Sequence, residues 1–254
     1  DALTSLSGLD SLTSIGGNLS IRDCYALTSL SGLENLTSIG ENLWIWSNYA
    51  LTSLNGLERI NSIGGSLCIG SSYLVGRTTP IGNSSLTNLS GLENLASIGR
   101  GLYIDDNGAL PSLSGLDSLT SIGEDLWIDN NDALTSLSGL GNLTSIGEDL
   151  RIHDNNELTS LSGLESLDHT TIHDLKIYDN PNLSLCEIQP VCDYLENGEE
   201  ANIENNAPGC NSEAEVESAC MTVPIEEVLS IIDAISVFPN PTKDIVYFEG
   251  MSQE

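Results

Sequence analysis

The sequence predicts an all-β solenoid, a parallel β-helix of leucine-rich repeats closed at its C-terminal end by a small disulfide-bonded α/β cap. Three observations predict it. An L-T-S-L-S-G-L run, then L-T-S-I-G, then L-x-I and a turn recurs about every 24 residues, with clear copies starting at Asp1, Tyr25, Tyr49, Ser84, Gly108, Asp132 and Asn156. Such a unit cannot bury its apolar side alone and must stack on its neighbours. Second, the apolar set of one copy (Leu134, Leu137, Leu140, Leu143, Ile146, Leu150, Ile152) forms no helical face, because Gly139, Gly141 and Gly147 interrupt it. Short extended segments between glycine turns fit better, about three per coil, with coils roughly 4.8 Å apart. Third, Asn48, Asn107, Asn131, Asn155, Asn180 and Asn206 recur just after the L-x-I strand, with Cys24 in that place in the first copy. Asparagine tolerates a left-handed turn there, and its amide can bond the same amide one coil away.

Along the chain, residues 1–180 are read as the solenoid, with an excursion at Tyr73–Asn83 in the third copy. The glycine of S-G-L (Gly8, Gly32, Gly56, Gly91, Gly115, Gly139, Gly163) is invariant among the copies, as a tight corner requires. The seventh copy writes Asp168-His169-Thr170-Thr171-Ile172-His173-Asp174 where the others write T-S-I-G-E-D. Residues 181–220 form the cap: a helix over Ile188–Glu196, a last strand over Ala201–Asn206 and a second helix over Ser212–Cys220. A solenoid end needs such a cover for its core and strand edges. Residues 221–235 are a linker, and 236–254 begin a different unit.

Cys186, Cys192, Cys210 and Cys220 cluster in the cap, whereas Cys24 and Cys68 are scattered. Their spacings lack the short knuckles of zinc sites, so disulfides in an oxidising compartment are expected. Cys186 and Cys210 lie one repeat period apart. A bond between them is the first choice among three pairings, which leaves Cys192 with Cys220.

Thirty-seven acidic against seven basic residues give a formal net charge of −30. That field repels nucleic acid and anionic membranes, so neither is an expected partner. The chain has no apolar run long enough for a membrane span. Its first residues already lie inside a repeat, with no leader before them, which reads as a mature or trimmed piece of an exported protein. A monomeric array is expected.

The repeat resembles the receptor L-domain type of leucine-rich repeat. The pattern L-x-x-L-x-G-L-x-x-L-x-x-I-G-G-x-L-x-I is met almost letter for letter by Leu3 to Ile21, and the resemblance extends to about residue 206. It implies a right-handed parallel β-helix serving as a recognition or structural module, with no catalytic residues. Separately, Val237-Phe238-Pro239-Asn240-Pro241-Thr242-Lys243-Asp244, followed by Ile245-Val246-Tyr247-Phe248, resembles the start of a type IX secretion C-terminal sorting domain. That resemblance implies export to the outside or outer surface of a Gram-negative bacterium. The later strands of such a domain are absent, so this is a truncated copy.

Candidate functional residues are those that vary between copies. The middle of L-x-I and the residue after it should point outward. The first column reads Ser20, Trp44, Cys68, Tyr103, Trp127, Arg151 and Lys176; the second reads Arg22, Trp46, Gly70, Asp105, Asp129, His153 and Tyr178. All three tryptophans fall here in a chain with only 5% aromatics. Trp44, Trp46, Tyr103 and Trp127, with Arg151, His153 and Tyr178 as a polar end, are the expected binding residues for a glycan or protein. The competing reading is that these rings only stabilise the sheet of a structural spacer. A threonine column (Thr4, Thr28, Thr52, Thr87, Thr135, Thr159) raises ice binding, but it is single and broken by Pro111. Asp23, Asp106, Asp154 and Asp179 form an acidic column that a surface calcium ion could relieve. No EF-hand or glycine-rich nonapeptide accompanies it, so solvated acids at a turn are expected, and no cofactor. His169 and His173 have H-x3-H spacing, but on a strand and turn rather than a helix, so no zinc pair is expected. No nucleophile elbow, phosphate loop or H-E-x-x-H is present, and no enzyme activity is expected.

Overall fold

A computed structural model describes residues 3–70 and 82–221, together with the backbone of Ser236–Pro239 and Val246–Glu249. The chain coils into a parallel β-solenoid. One side is an eight-stranded sheet made of the L-x-I segments: β2 (Leu19–Arg22), β4 (Leu43–Trp46), β6 (Leu67–Gly70), β8 (Leu102–Asp105), β10 (Leu126–Asp129), β11 (Leu150–His153), β12 (Leu175–Tyr178) and β13 (Ala201–Glu204). Pairing is in register, isoleucine on isoleucine from Ile21↔Ile45 to Ile177↔Ile203 and leucine on leucine as far as Leu150↔Leu175, with Ala201 taking the leucine's place in the cap strand. A second side carries five two-residue strands, β1 (Ser14–Ile15), β3 (Ser38–Ile39), β5 (Ser62–Ile63), β7 (Ser97–Ile98) and β9 (Ser121–Ile122). The third expected strand is reduced to isolated bridges, Ser112↔Ser136 and Ser160↔Leu185.

The spacing of apolar residues explains this difference. Extended backbone alternates its side chains, so a spacing of two points both apolar residues inward and makes a strand. Leucines three apart can all face inward only if the chain turns between them. Leu33 N accordingly donates to Leu30 O (3.2 Å) and Leu36 N to Leu33 O (2.8 Å), a pattern repeated at Leu57 and Ile60. The S-G-L corner needs glycine: Gly139 has φ 110°, and a Cβ there would lie 2.1 Å from Leu113 O. An acid two residues on receives the corner N–H, as Glu34 does from Gly32 and Glu58 from Gly56, both at 2.8 Å. Part of the acidity is thus local turn chemistry.

Every coil after the first also buries an asparagine. Asn131 is wholly buried; its Nδ2 donates to Ile104 O (2.8 Å), Asp129 O (3.0 Å) and Asn155 Oδ1 (3.3 Å), while its Oδ1 accepts from Asn107 N (3.1 Å). The ladder runs from Cys24 N, which donates to Asn48 Oδ1, to Asn206 in the cap. It includes Asn83, which bonds Asn107 and Ile45 and is wholly buried. Asn83 therefore belongs to the coil and not to the excursion expected over Tyr73–Asn83; residues 73–81 lie outside the described residues. A second correction concerns the left-handed turn. The residue before the ladder asparagine adopts it: Asp23, Ser47, Asp106, Asn130, Asp154, Asp179 and Asn205 all have φ between 54° and 59°. Aspartate and asparagine reach that region more easily than other non-glycine residues.

The cap forms as expected. Helix α1 (Gln189–Glu196) starts after Ile188, and α2 (Glu213–Cys220) starts at Ser212, whose side chain accepts from Glu215 N. Cys186 is bonded to Cys210 and Cys192 to Cys220, while Val191, Tyr194, Leu195 and Val216 close the core. β14 (Ser236–Pro239) pairs antiparallel with β15 (Val246–Glu249). Residues 222–235, most of the expected linker, lie outside the described residues.

Asn131→Ala strands buried donors and acceptors on two neighbouring coils and should cost about 3 kcal/mol. Exposed Asn182, with one side-chain bond to Asn156 O, should lose less than about 0.5 kcal/mol on the same change. Denaturant midpoints of the two variants check the difference.

Candidate functional site

All seven expected binding residues lie on the outer face of the eight-stranded sheet and outside the apolar core. The registers Tyr103↔Trp127, Trp127↔Arg151 and His153↔Tyr178 make them neighbours along the stack. The face divides them into two groups around β6, where Cys68 and Gly70 supply little bulk. Toward the N-terminal end are Trp44 and Trp46, the latter with the Arg22 guanidinium 5.5 Å from its ring. Toward the C-terminal end the contacts are continuous. Tyr103 meets Trp127 edge to face at 5.1 Å, Arg151 lies 5.1 Å from the Trp127 ring and 5.8 Å from Tyr178, and His153 stacks on Tyr178 at 4.7 Å.

Exposure separates their roles. Trp44, Trp127, Arg151 and Tyr178 are half-buried, within reach of a ligand, while Trp46, Tyr103 and His153 are 3%, 6% and 7% exposed. Tyr103 packs against Trp127, and His153 against Tyr178 and Arg151, so these two support exposed neighbours, and all three buried residues offer a ligand little surface themselves. Tyr103 Oη donates to Asp125 Oδ2 at 2.9 Å, and burial together with that carboxylate drives its pKa up. Burial pushes the Cys68 thiol up to about 12, so it is no nucleophile.

Beneath the half-exposed rings lies a cluster of charges. Asp105 and Asp129, one coil apart in register, are 3% and 1% exposed. Asp129 Oδ2 lies 3.3 Å from Arg151 Nε and 3.1 Å from His153 Nε2, ion-pair contacts that are not aligned as hydrogen bonds. His153 Nδ1 is 2.8 Å from Asp154, and the Arg151 guanidinium also abuts His153 Nε2. Asp105 Oδ1 and Trp127 Nε1 are buried with no hydrogen-bond partner. Burial, then the charges of Asp129 and Asp106, lift the Asp105 pKa well above the carboxylate range, with Arg151 opposing. At His153 burial disfavours the imidazolium, but Asp129 and Asp154 outweigh it, and the pKa rises above 6.5. The sequence placed Asp105 and Asp129 in the outward column without counting them as part of the site. Their place between aromatic and basic residues on a period-two strand was the available signal.

Other expected features separate. His169 faces α1, with Nε2 3.0 Å from Asn197, whereas His173 faces Glu148, so the two do not converge. In the acidic column Asn130 stands between Asp106 and Asp154 and donates to Asp106. Thr87 and Thr135 hydroxyls donate to Thr52 O and Pro111 O of the preceding coil.

The raised pKa values of Asp105 and His153 act with one sign. The fold favours neutral Asp105, so stability is lost as pH rises from the ordinary carboxylate value of 3.8 toward the folded one. It also favours charged His153, a contribution complete below 6.5 and lost as pH rises through the folded value. Asp105→Asn should therefore raise the denaturation midpoint at pH 8, by about 1–3 kcal/mol, and shrink the loss between pH 5 and pH 8. Denaturant titrations at both pH values check this. Neither a family model, a curated protein nor a solved structure matches the chain.

Proposed function

We propose that this chain is an extracellular recognition or adhesion module that holds a glycan or protein against the outer face of its eight-stranded sheet. The observation that carries this reading is the half-exposed set Trp44, Trp127, Arg151 and Tyr178. These rings and this guanidinium sit on a rigid in-register sheet, where the otherwise repetitive sequence varies most. Rings held this way bury area on binding at little entropic cost. The net charge of −30 disfavours anionic polysaccharides, so a neutral glycan is the first ligand to test.

Two disulfides fit an oxidising exterior. The receptor L-domain-like repeat and the F-P-N-P segment at Phe238–Pro241 favour surface display or release through type IX secretion. A second reading, a rigid spacer in a larger surface protein, is favoured by the burial of Trp46, Tyr103 and His153, whose contacts with Arg22, Trp127 and Tyr178 stabilise the sheet.

An array of neutral glycans separates the two readings. Trp44→Ala and Trp127→Ala should each weaken binding by about tenfold, while the denaturation midpoint falls far less than for Asn131→Ala. Binding that survives both substitutions contradicts recognition through this face.

A further inference from the structure

We propose that Glu148, Asp149 and His173 form a site for a divalent transition-metal ion of the zinc class, at the corner leading into β11 and β12. The fold places Glu148 and Asp149 just before Leu150 in the sixth coil and His173 at the equivalent of Glu148 in the seventh. His173 N donates to Glu148 O at 2.8 Å, which fixes the two residues side by side, one coil apart. One ligand atom from each of the three residues lies within 4.8 Å of the others, and His173 Nδ1 is 3.7 Å from Glu148 Oε2. Ligands bound at about 2.0–2.2 Å in a tetrahedral shell stand roughly 3.4 Å apart. The His173–Glu148 separation is close to that spacing, Asp149 lies within 4.8 Å of both, and Glu148 and His173, both exposed, have room to close on an ion.

The break in the seventh copy opens space beside these ligands. The ladder of two-residue strands ends at β9, Ser121↔Ser145 remains only as an isolated bridge, and His169–Thr171 forms a 3-10 turn instead of the next rung. A cleft of about 550 Å³ results, lined in part by Ser145, Gly147, Glu148, Thr171 and His173. Water entering there can complete a coordination shell that three side chains leave open. One imidazole nitrogen with two carboxylates suits zinc, nickel or copper, whereas calcium needs six to eight oxygens.

Lys176 is the internal competitor. Its Nζ is held 2.8 Å from Asp174 and only 3.7 Å from Asp149, so Asp149 is its weaker partner and the more available ligand. The proposal is independent of ligand binding at the aromatic face.

The test is calorimetric titration of the full chain with zinc chloride, and separately with calcium chloride. It is done in a Cys24→Ser background, because Cys24 is the half-exposed free thiol among the described residues. One zinc per chain is expected, with His173→Ala and Glu148→Gln each weakening it by at least about tenfold. Lys176→Gln should tighten it, and His169→Ala should leave it unchanged. Zinc binding indifferent to both His173→Ala and Glu148→Gln overturns the proposal. So does weak multi-site binding matched by calcium, which would be diffuse attraction to an acidic surface.

Discussion

A buried side-chain amide in each coil after the first can be tolerated only if the neighbouring coils satisfy it, and this requirement organises the molecule. Asn48, Asn83, Asn107, Asn131, Asn155, Asn180 and Asn206 each accept from the backbone of the coil before, and each donates to an isoleucine carbonyl of that coil. A slip of one residue between coils would leave these donors and acceptors dry and unpaired, at a cost of about 1–3 kcal/mol for each group. The apolar core opposes the same slip, because a shift of one residue turns inward leucines and isoleucines outward. The amide ladder adds the cost of stranded buried groups to that penalty, and the apolar interior supplies most of the driving force.

Register in turn creates the face. Once Leu126, Leu150 and Leu175 align, the residues between them align too, and Trp127, Arg151 and Lys176 stand in one row. The neighbouring row stacks Asp105, Asp129, His153 and Tyr178 about one coil apart. Like charges at that spacing repel unless compensated, and Arg151 with His153 supplies the compensation from within the same face. The half-exposed rings rest on a charge cluster that fixes the positions of Arg151 and His153. A surface built this way keeps its shape before any partner arrives, the condition under which aromatic contacts yield the most affinity.

Much of this was legible in the sequence because the repeat reports on itself. Period, inward leucines and the L-x-I sheet follow from spacing; the cap elements follow from the change of composition after Asn180, and the Cys186–Cys210 pairing was the first choice among three on its one-period separation. The third strand did not, because spacing-three leucines at Leu30, Leu33 and Leu36 demand turns where a flat side was expected. Asn83 was hidden by the extra length of the third copy, which obscured the period in the sequence just before this residue. At the site, the direction of each side chain was readable and its depth was not. Period-two alternation says that Trp46, Tyr103 and His153 point away from the core, but their burial depends on neighbours across the stack. The Glu148–Asp149–His173 corner was missed for a related reason, since His173 was paired in sequence with His169 and in space with the preceding coil.

Amide hydrogen exchange tests the account at its root. The backbone N–H groups of Asn107, Asn131 and Asn155 donate to buried side-chain oxygens of the following coil and should exchange only on global unfolding, among the slowest in the chain. Exchange at these amides as fast as at the exposed corner amides of Ser138 and Ser162 would contradict the ladder, and with it the alignment of the binding face.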